Sequence, residues 1–191
     1  MSVVVKPMTL KDYLAYDDGT DTRYELVNGE LVPMPPESRL NHRIVSFLFA
    51  YFLKTGVPSD RLSIGTQIAV SGARATARQP DFVVLSEAAA AALEGASSDL
   101  LTYDMPPPLL VVEVVSPGQG DRDYRHKRSE YAARCIPEYW IIDPTAQKVT
   151  VLAWVDGLYE EQVYVGDQAI QSPHWSPLTL EAAMVLTAGR G

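Results

Sequence analysis

Between Leu109 and Val115 the chain reads Leu-Leu-Val-Val-Glu-Val-Val, six aliphatics around one glutamate. A run this apolar on both alternating faces suits a central strand covered on both sides rather than one with a wet face. The chain must therefore build a sheet with other layers packed over it. Side chains alternate along a strand, so Val111, Glu113 and Val115 share one face. A carboxylate among aliphatics is costly to bury unless it is paired or bound to a cation. Glu113 thus needs a partner, either an arginine or backbone amides near the strand end, or a metal ion.

The rest of the chain supplies those layers. A short helix is predicted from Thr9, its N-cap, to Tyr16. In RYELVNGELV, Asn28-Gly29 between two apolar runs signals a tight hairpin, pairing Leu26 with Leu31 and Glu25 with Val32. Leu40, Ile44, Val45, Leu48, Tyr51 and Phe52 recur at helical spacing from about Ser38 to Lys54, and Gly56 follows as a stop. Strands follow at Leu62 to Val70 and Phe82 to Leu85. Ser86 then caps a helix to about Leu93, ended by Gly95. After the turn Ser116-Pro117-Gly118, a helix is predicted from Arg122 to Arg134. Strands at Glu138 to Ile142 and Val149 to Val155 are split by Asp143-Pro144. Asp156-Gly157 closes a second hairpin, and a short helix, Leu180 to Leu186, ends the tail after Pro177. This order mixes crossovers with hairpins, which predicts an α/β (α+β mixed) fold: a mixed central sheet flanked by helices, with an N-terminal β-hairpin.

Two further residues join Glu113 as candidates for chemistry. Asp81 follows Pro80 at the start of a strand. Alone it reads as a loop aspartate making a local turn. Beside Glu113 it becomes one of two carboxylates at the ends of separate buried strands, able to share a hard cation such as Mg²⁺ or Mn²⁺. Lys127 lies on the following helix, where Asp123, Lys127, Glu130, Tyr131 and Arg134 fall on one side. An exposed Asp123–Lys127 pair is the plain alternative. Tyr131 and Cys135 on the same side argue that this face turns partly inward, where the long lysine stem could reach the carboxylates. A divalent ion on Asp81 and Glu113 would polarise a phosphoryl oxygen, and the ammonium would orient water and offset growing charge.

Pro80-Asp81, followed by Glu113 in its aliphatic run, resembles the core of the PD-(D/E)xK nuclease superfamily. The usual motif places a lysine two residues after the acid, where this chain has Val115. The run VVEVVSPGQGDRDYRHKRSEYAARCIPEYWIIDP resembles one branch, restriction-endonuclease-like proteins of largely unknown biological role. There the strand acid is followed by Ser-Pro, an Asp, a lysine four residues on in the helix, Tyr, Tyr-Trp and Asp-Pro. Asp123, Lys127, Tyr131, Tyr139-Trp140 and Asp143-Pro144 match in order, as do YELVNGEL at Tyr24 to Leu31 and the helix containing His42. The resemblance spans about residues 8 to 185. It implies a restriction-endonuclease-like core and a metal-dependent endonuclease acting on DNA, with Asp81, Glu113 and Lys127 as catalytic residues and Mg²⁺ or Mn²⁺ held by the two acids. It also makes Glu25 a supporting or metal-side carboxylate, His42 a phosphate contact, and Gln67, Asp123 and Tyr131 supporting residues. Plainer roles remain open for Glu25 (a solvated hairpin residue), His42 (a surface residue) and Gln67 (a polar strand residue).

The bulk properties bound this reading. The 191 residues fit a single domain with one sizeable core. No apolar stretch approaches the ~18 residues of a membrane span, and the N-terminus lacks the pattern of a secretion signal. One cysteine fits a reducing cytoplasm, and with only three scattered histidines no zinc site is expected. The net charge of −8 runs against nucleic-acid binding, which draws on basic contacts to phosphate. Arg74, Arg78, Arg122, Arg125, Lys127 and Arg128 could still form a local basic stripe. The acidic balance and Val115 together favour the competing reading, a catalytically inactive nucleic-acid- or protein-binding module on the same fold. The aromatic final hairpin, with Trp154, Tyr159 and Tyr164, either completes the core or forms the interface of a homodimer. Two-fold symmetry would suit a duplex target.

Overall fold

The structure, a computed structural model, describes residues 6–70, 74–117, 120, 122–175 and 178–190. Gly118 of the predicted turn, Pro177 before the predicted tail helix, and residues 1–5 lie outside them. In chain order the elements are α1 (Leu10–Leu14), β1 (Tyr24–Val27), β2 (Glu30–Pro33), α2 (Arg39–Lys54), β3 (Leu62–Ser63), β4 (Gln67–Val70), β5 (Thr76–Arg78), β6 (Phe82–Val84), α3 (Glu87–Leu93), β7 (Leu100–Leu101) and β8 (Leu110–Val114). A π-helical segment, Arg122–Lys127, runs into α4 (Arg128–Ala133), followed by β9 (Glu138–Asp143), β10 (Lys148–Val155), β11 (Leu158–Tyr164) and α5 (Ala182–Leu186). Among the described residues no helix is long and apolar enough to cross a membrane.

The strands divide between two sheets, in the orders β2-β1-β5-β4-β7 and β11-β10-β9-β8-β6-β3. Both are mixed: β8 runs parallel to β9 and β4 parallel to β7, while the other pairs are antiparallel. The predicted strand from Leu62 to Val70 is two strands, because Ile64 to Thr66 form a bend at Gly65 and the halves enter different sheets. The predicted hairpin pairs Leu26 with Leu31 and Glu25 with Val32, with positive φ at both Asn28 and Gly29. Gly29 has a second reason to lack a side chain, since an added Cβ would stand 2.6 Å from Cβ of Pro7.

β8 is buried at every position, as its composition requires. Val112 and Val114 face one core, with Ile44, Leu48 and Phe52 of α2 and Trp140 of β9. Val111 and Val115 face the other, with Tyr131 of α4 and Tyr139 and Ile141 of β9. Glu113 belongs by alternation to this second side. The parallel register sets Val111 beside Tyr139 and Val112 beside Trp140, so each face carries a continuous apolar layer.

Two strand registers bring charged residues together. Phe82 pairs with Val112 in the antiparallel β6–β8 ladder, and continuing by one residue sets Asp81 opposite Glu113. Leu26 pairs with Ala77 between β1 and β5, and the same step sets Glu25 opposite Arg78. Gln79-Pro80 carries the chain from one sheet to the other, so both pairs meet at that crossing.

Ile141 is fully buried where β8 and β9 run parallel. Ile141→Ala should cost about 2–5 kcal/mol in urea unfolding. Val163→Ala, at a position 44% exposed, should stay within about 0.5 kcal/mol. Equal losses at both positions would contradict this division between core and edge.

Candidate active site

One pocket is lined by Glu25, Asp81, Glu113, Asp123 and Lys127, with Glu37 and Arg122 at its sides. Glu113 is buried and gripped from α4 and the turn before it. Lys127 Nζ lies 2.6 Å from Oε2, and the Tyr131 hydroxyl donates to Oε1 at 2.7 Å. These donors are four residues apart, so successive turns bring both to one carboxylate. The wider π-helical turn, which ends at Lys127, also carries Asp123 inward, where its Oδ1 is 3.2 Å from Lys127 Nζ. Asp81 enters from the strand opposite, its Oδ2 accepting the Val114 amide at 2.6 Å.

Glu25 is fully buried, not solvated. Its Oε2 meets Arg78 Nη1 at 3.0 Å and also Arg122. Its Oε1 accepts the Gln79 amide at 3.1 Å and lies 3.8 Å from Lys127 Nζ. Arg78 forks onto Glu130, with both bonds at 2.7 Å. Counting these groups as ionised, Glu25, Asp81, Glu113, Asp123 and Glu130 face Arg78, Arg122 and Lys127, an excess of two negative charges.

The protonation equilibria respond to that excess and to burial. Burial pushes the Asp81 carboxyl up to about 6, against the downward pull of the Val114 amide and Lys127. Burial also raises the Glu113 carboxyl, with Lys127 opposing. For Lys127 burial acts to lower the ammonium, but Glu113 and Asp123 more than offset it, so it sits above its ordinary value. Burial raises Tyr131 well above an ordinary phenol, so it keeps its proton and donates.

The donors fit a hard divalent cation. They are carboxylate oxygens, the donor type that magnesium prefers. Among the described residues no three His, Cys, Asp or Glu side chains form a ready-made metal cage. Magnesium is commonly held by one or two carboxylates with water and substrate phosphate completing its shell, and Asp81 and Glu113 are the two that could hold it here.

The other predicted residues lie outside this wall. His42 has its side chain 64% exposed and meets the pocket only through Glu37, 3.3 Å from its Nδ1. Gln67, at the start of β4, lines a neighbouring recess instead. The basic stripe is largely consumed by ion pairs: Arg78, Arg122 and Lys127 with the acids of the pocket, and Arg128 with Glu161. Arg74 and Arg125 are exposed. Cys135, expected on the inward face, is exposed, because the chain leaves the helix there with φ of 57°.

Sequence reasoning missed the buried roles of Arg78 and Asn41 and the pairing of Glu130 with Arg78. Asn41 Nδ2 donates to the Val114 carbonyl and Ser116 Oγ, each at 3.2 Å, and so fixes the end of β8. Its only signal was its place three residues after the Ser38 cap. Glu130 did lie on the predicted inward face, beside Lys127 and Tyr131.

Comparison with known proteins bears on the same architecture. A crystal structure described as "a putative nuclease belonging to DUF820" from Anabaena variabilis matches with a TM-score of 0.74, covering 96% of this chain and 100% of that one at 18% identity. At that identity the likeness shows a shared fold. No curated protein matches the chain. The model of the Uma2 family, described as "Putative restriction endonuclease", matches residues 10–185. With its length matched almost throughout, the chain belongs to the Uma2 family.

Proposed function

We propose that this chain is a Mg²⁺- or Mn²⁺-dependent endonuclease that hydrolyses phosphodiester bonds in DNA. The observation that carries the reading is the ammonium of Lys127 at 2.6 Å from Glu113, in a pocket shared with Asp81. When bound, the ion would supply a Lewis acid that draws charge off the scissile phosphate. Asp81 and Glu113 would hold it. Lys127 orients the attacking water and meets the negative charge that grows on the phosphate. Asp123 holds the lysine, Tyr131 holds Glu113, and Glu25 braces the wall through Arg78 and the Gln79 amide. Lys127 also answers the absence of a lysine at position 115: Val115 belongs to the apolar core, and the amine arrives from the neighbouring helix.

Purified protein should nick supercoiled DNA with magnesium or manganese. Glu113→Gln and Lys127→Met should each slow cutting about 100-fold or more, with unchanged far-ultraviolet circular dichroism. Lys127→Met keeps an apolar stem, which limits the damage to packing. A parent chain that cuts nothing and takes up neither metal in calorimetry would instead support the inactive binding module.

The raised carboxyls also set a pH dependence. A folded-state pKa above the unfolded value gives stability that is complete below the unfolded pKa and lost as pH rises through the folded one. For Asp81 that window runs from about 4, the ordinary aspartate value, to about 6. Glu113 adds loss in the same direction. In EDTA the melting temperature should therefore decline across this range. Magnesium should raise it more at pH 8 than at pH 5, and Asp81→Asn should blunt that difference. An equal magnesium effect at both pH values would contradict the assignment.

We also infer a homodimer, on altered grounds. Tyr159 and Tyr164 are buried, and Trp154 donates to the Ala132 carbonyl at 2.9 Å, so the aromatics complete the core. The apolar surface left on this hairpin is Val155, Leu158, Val163 and Val165, with Leu158 73% exposed on edge strand β11. Light scattering should return twice the chain mass, and a monomer mass at micromolar concentration would overturn the inference.

A further inference from the structure

A second recess opens beside the carboxylate pocket, and Gln79 lines both. Its wall is made by Tyr13, Tyr16, Tyr24, Arg23, Gln67 and Gln79. Its cavity volume is about 250 Å³, just below the ~300–1,000 Å³ typical of drug-sized ligand sites. The hydrolysis proposed for the carboxylate pocket uses none of these side chains.

Three observations describe a fitting occupant. The first is an orphan: Gln67 Oε1 is buried and has no hydrogen-bond partner among the described residues. Buried polar atoms are rarely left unmatched, so this one points to a ligand that donates. The second is a preorganised aromatic wall. Tyr16 and Tyr24 meet edge to face with centroids 5.7 Å apart. Tyr24 is fixed by its hydroxyl bond to Asp18 at 2.7 Å, and Tyr13 by its bond to the Tyr24 carbonyl at 2.6 Å. Tyr16 stays 42% exposed, with ring surface available for stacking. The third is charge. Arg23, the charged residue of the wall, is paired with Glu37 at 2.8 Å, which leaves a neutral ring as the suitable occupant.

We propose that this recess receives an unstacked adenine of the substrate strand, next to a scissile phosphate in the carboxylate pocket. Glutamine matches adenine by accepting from its exocyclic amine while donating to a ring nitrogen. Stacking on tyrosine supplies affinity, and Gln79 connects base and phosphate positions through one short segment, Gln79-Pro80-Asp81. The chain would then prefer unpaired or distorted DNA, where a base leaves the stack at low cost. This rests on the nuclease reading for its phosphate, but base binding can be measured without cutting.

The test is a fluorescence titration in EDTA, using a short single-stranded DNA that carries one fluorescent adenine analogue. The full chain should quench the analogue as it stacks. Tyr16→Ala should weaken binding about tenfold, and Gln67→Leu should remove a preference for adenine over thymine at that position. Loss of quenching without any change in melting temperature would place the effect in the recess. Absence of binding by the parent, or equal affinity for parent, both variants and a strand with an abasic site, overturns the proposal. A parent that stacks the base but cuts nothing with magnesium or manganese keeps the recess and sinks the nuclease reading. A parent that cuts normally and ignores both substitutions does the reverse.

Discussion

The organisation of this protein depends on one buried carboxylate. Glu113 sits in a strand buried at every position and cannot carry its charge there alone. Lys127 and Tyr131 both donate to it, from a helix that must lie against β8 for them to do so. That requirement ties α4 to the sheet and leads the π-helical turn, with Asp123, to the same place. The side chains of this site are held by packing as well as by charge.

Around this centre the protein accepts an imbalance. Four other acids and three bases crowd into the crossing between the two sheets, and their mutual pairing leaves negative charge over. Taking away one partner of a buried pair leaves the other charge uncompensated and is strongly destabilising, so these acids and bases stand or fall together. On the function proposed above, a divalent cation would offset that remaining charge.

Much of this was legible in the residues themselves. The apolar run with one glutamate set both the strand's burial and the need for a partner. Asn28-Gly29 gave the hairpin register, because positive φ at both positions admits few alternatives. The helical face of Lys127 and Tyr131 could be drawn from spacing alone. The features that stayed hidden depend on contacts between distant segments. β5 is three residues long and carries an arginine, so it has no strand pattern, yet it brings Arg78 to Glu25 across 53 positions. The same pairing takes Arg78 and Arg122 out of the basic stripe that their clustering in sequence suggests. The split into two sheets, the π-helical turn and the recess beside Gln79 likewise arise only once those segments meet.

The central claim is that Asp81 and Glu113 share one divalent cation. Crystals soaked in manganese and measured for anomalous scattering test it most directly. A single peak between the two carboxylates, lost in Asp81→Asn, is the predicted result. A map with no peak there, or with manganese held elsewhere while Lys127 remains on Glu113, would contradict it.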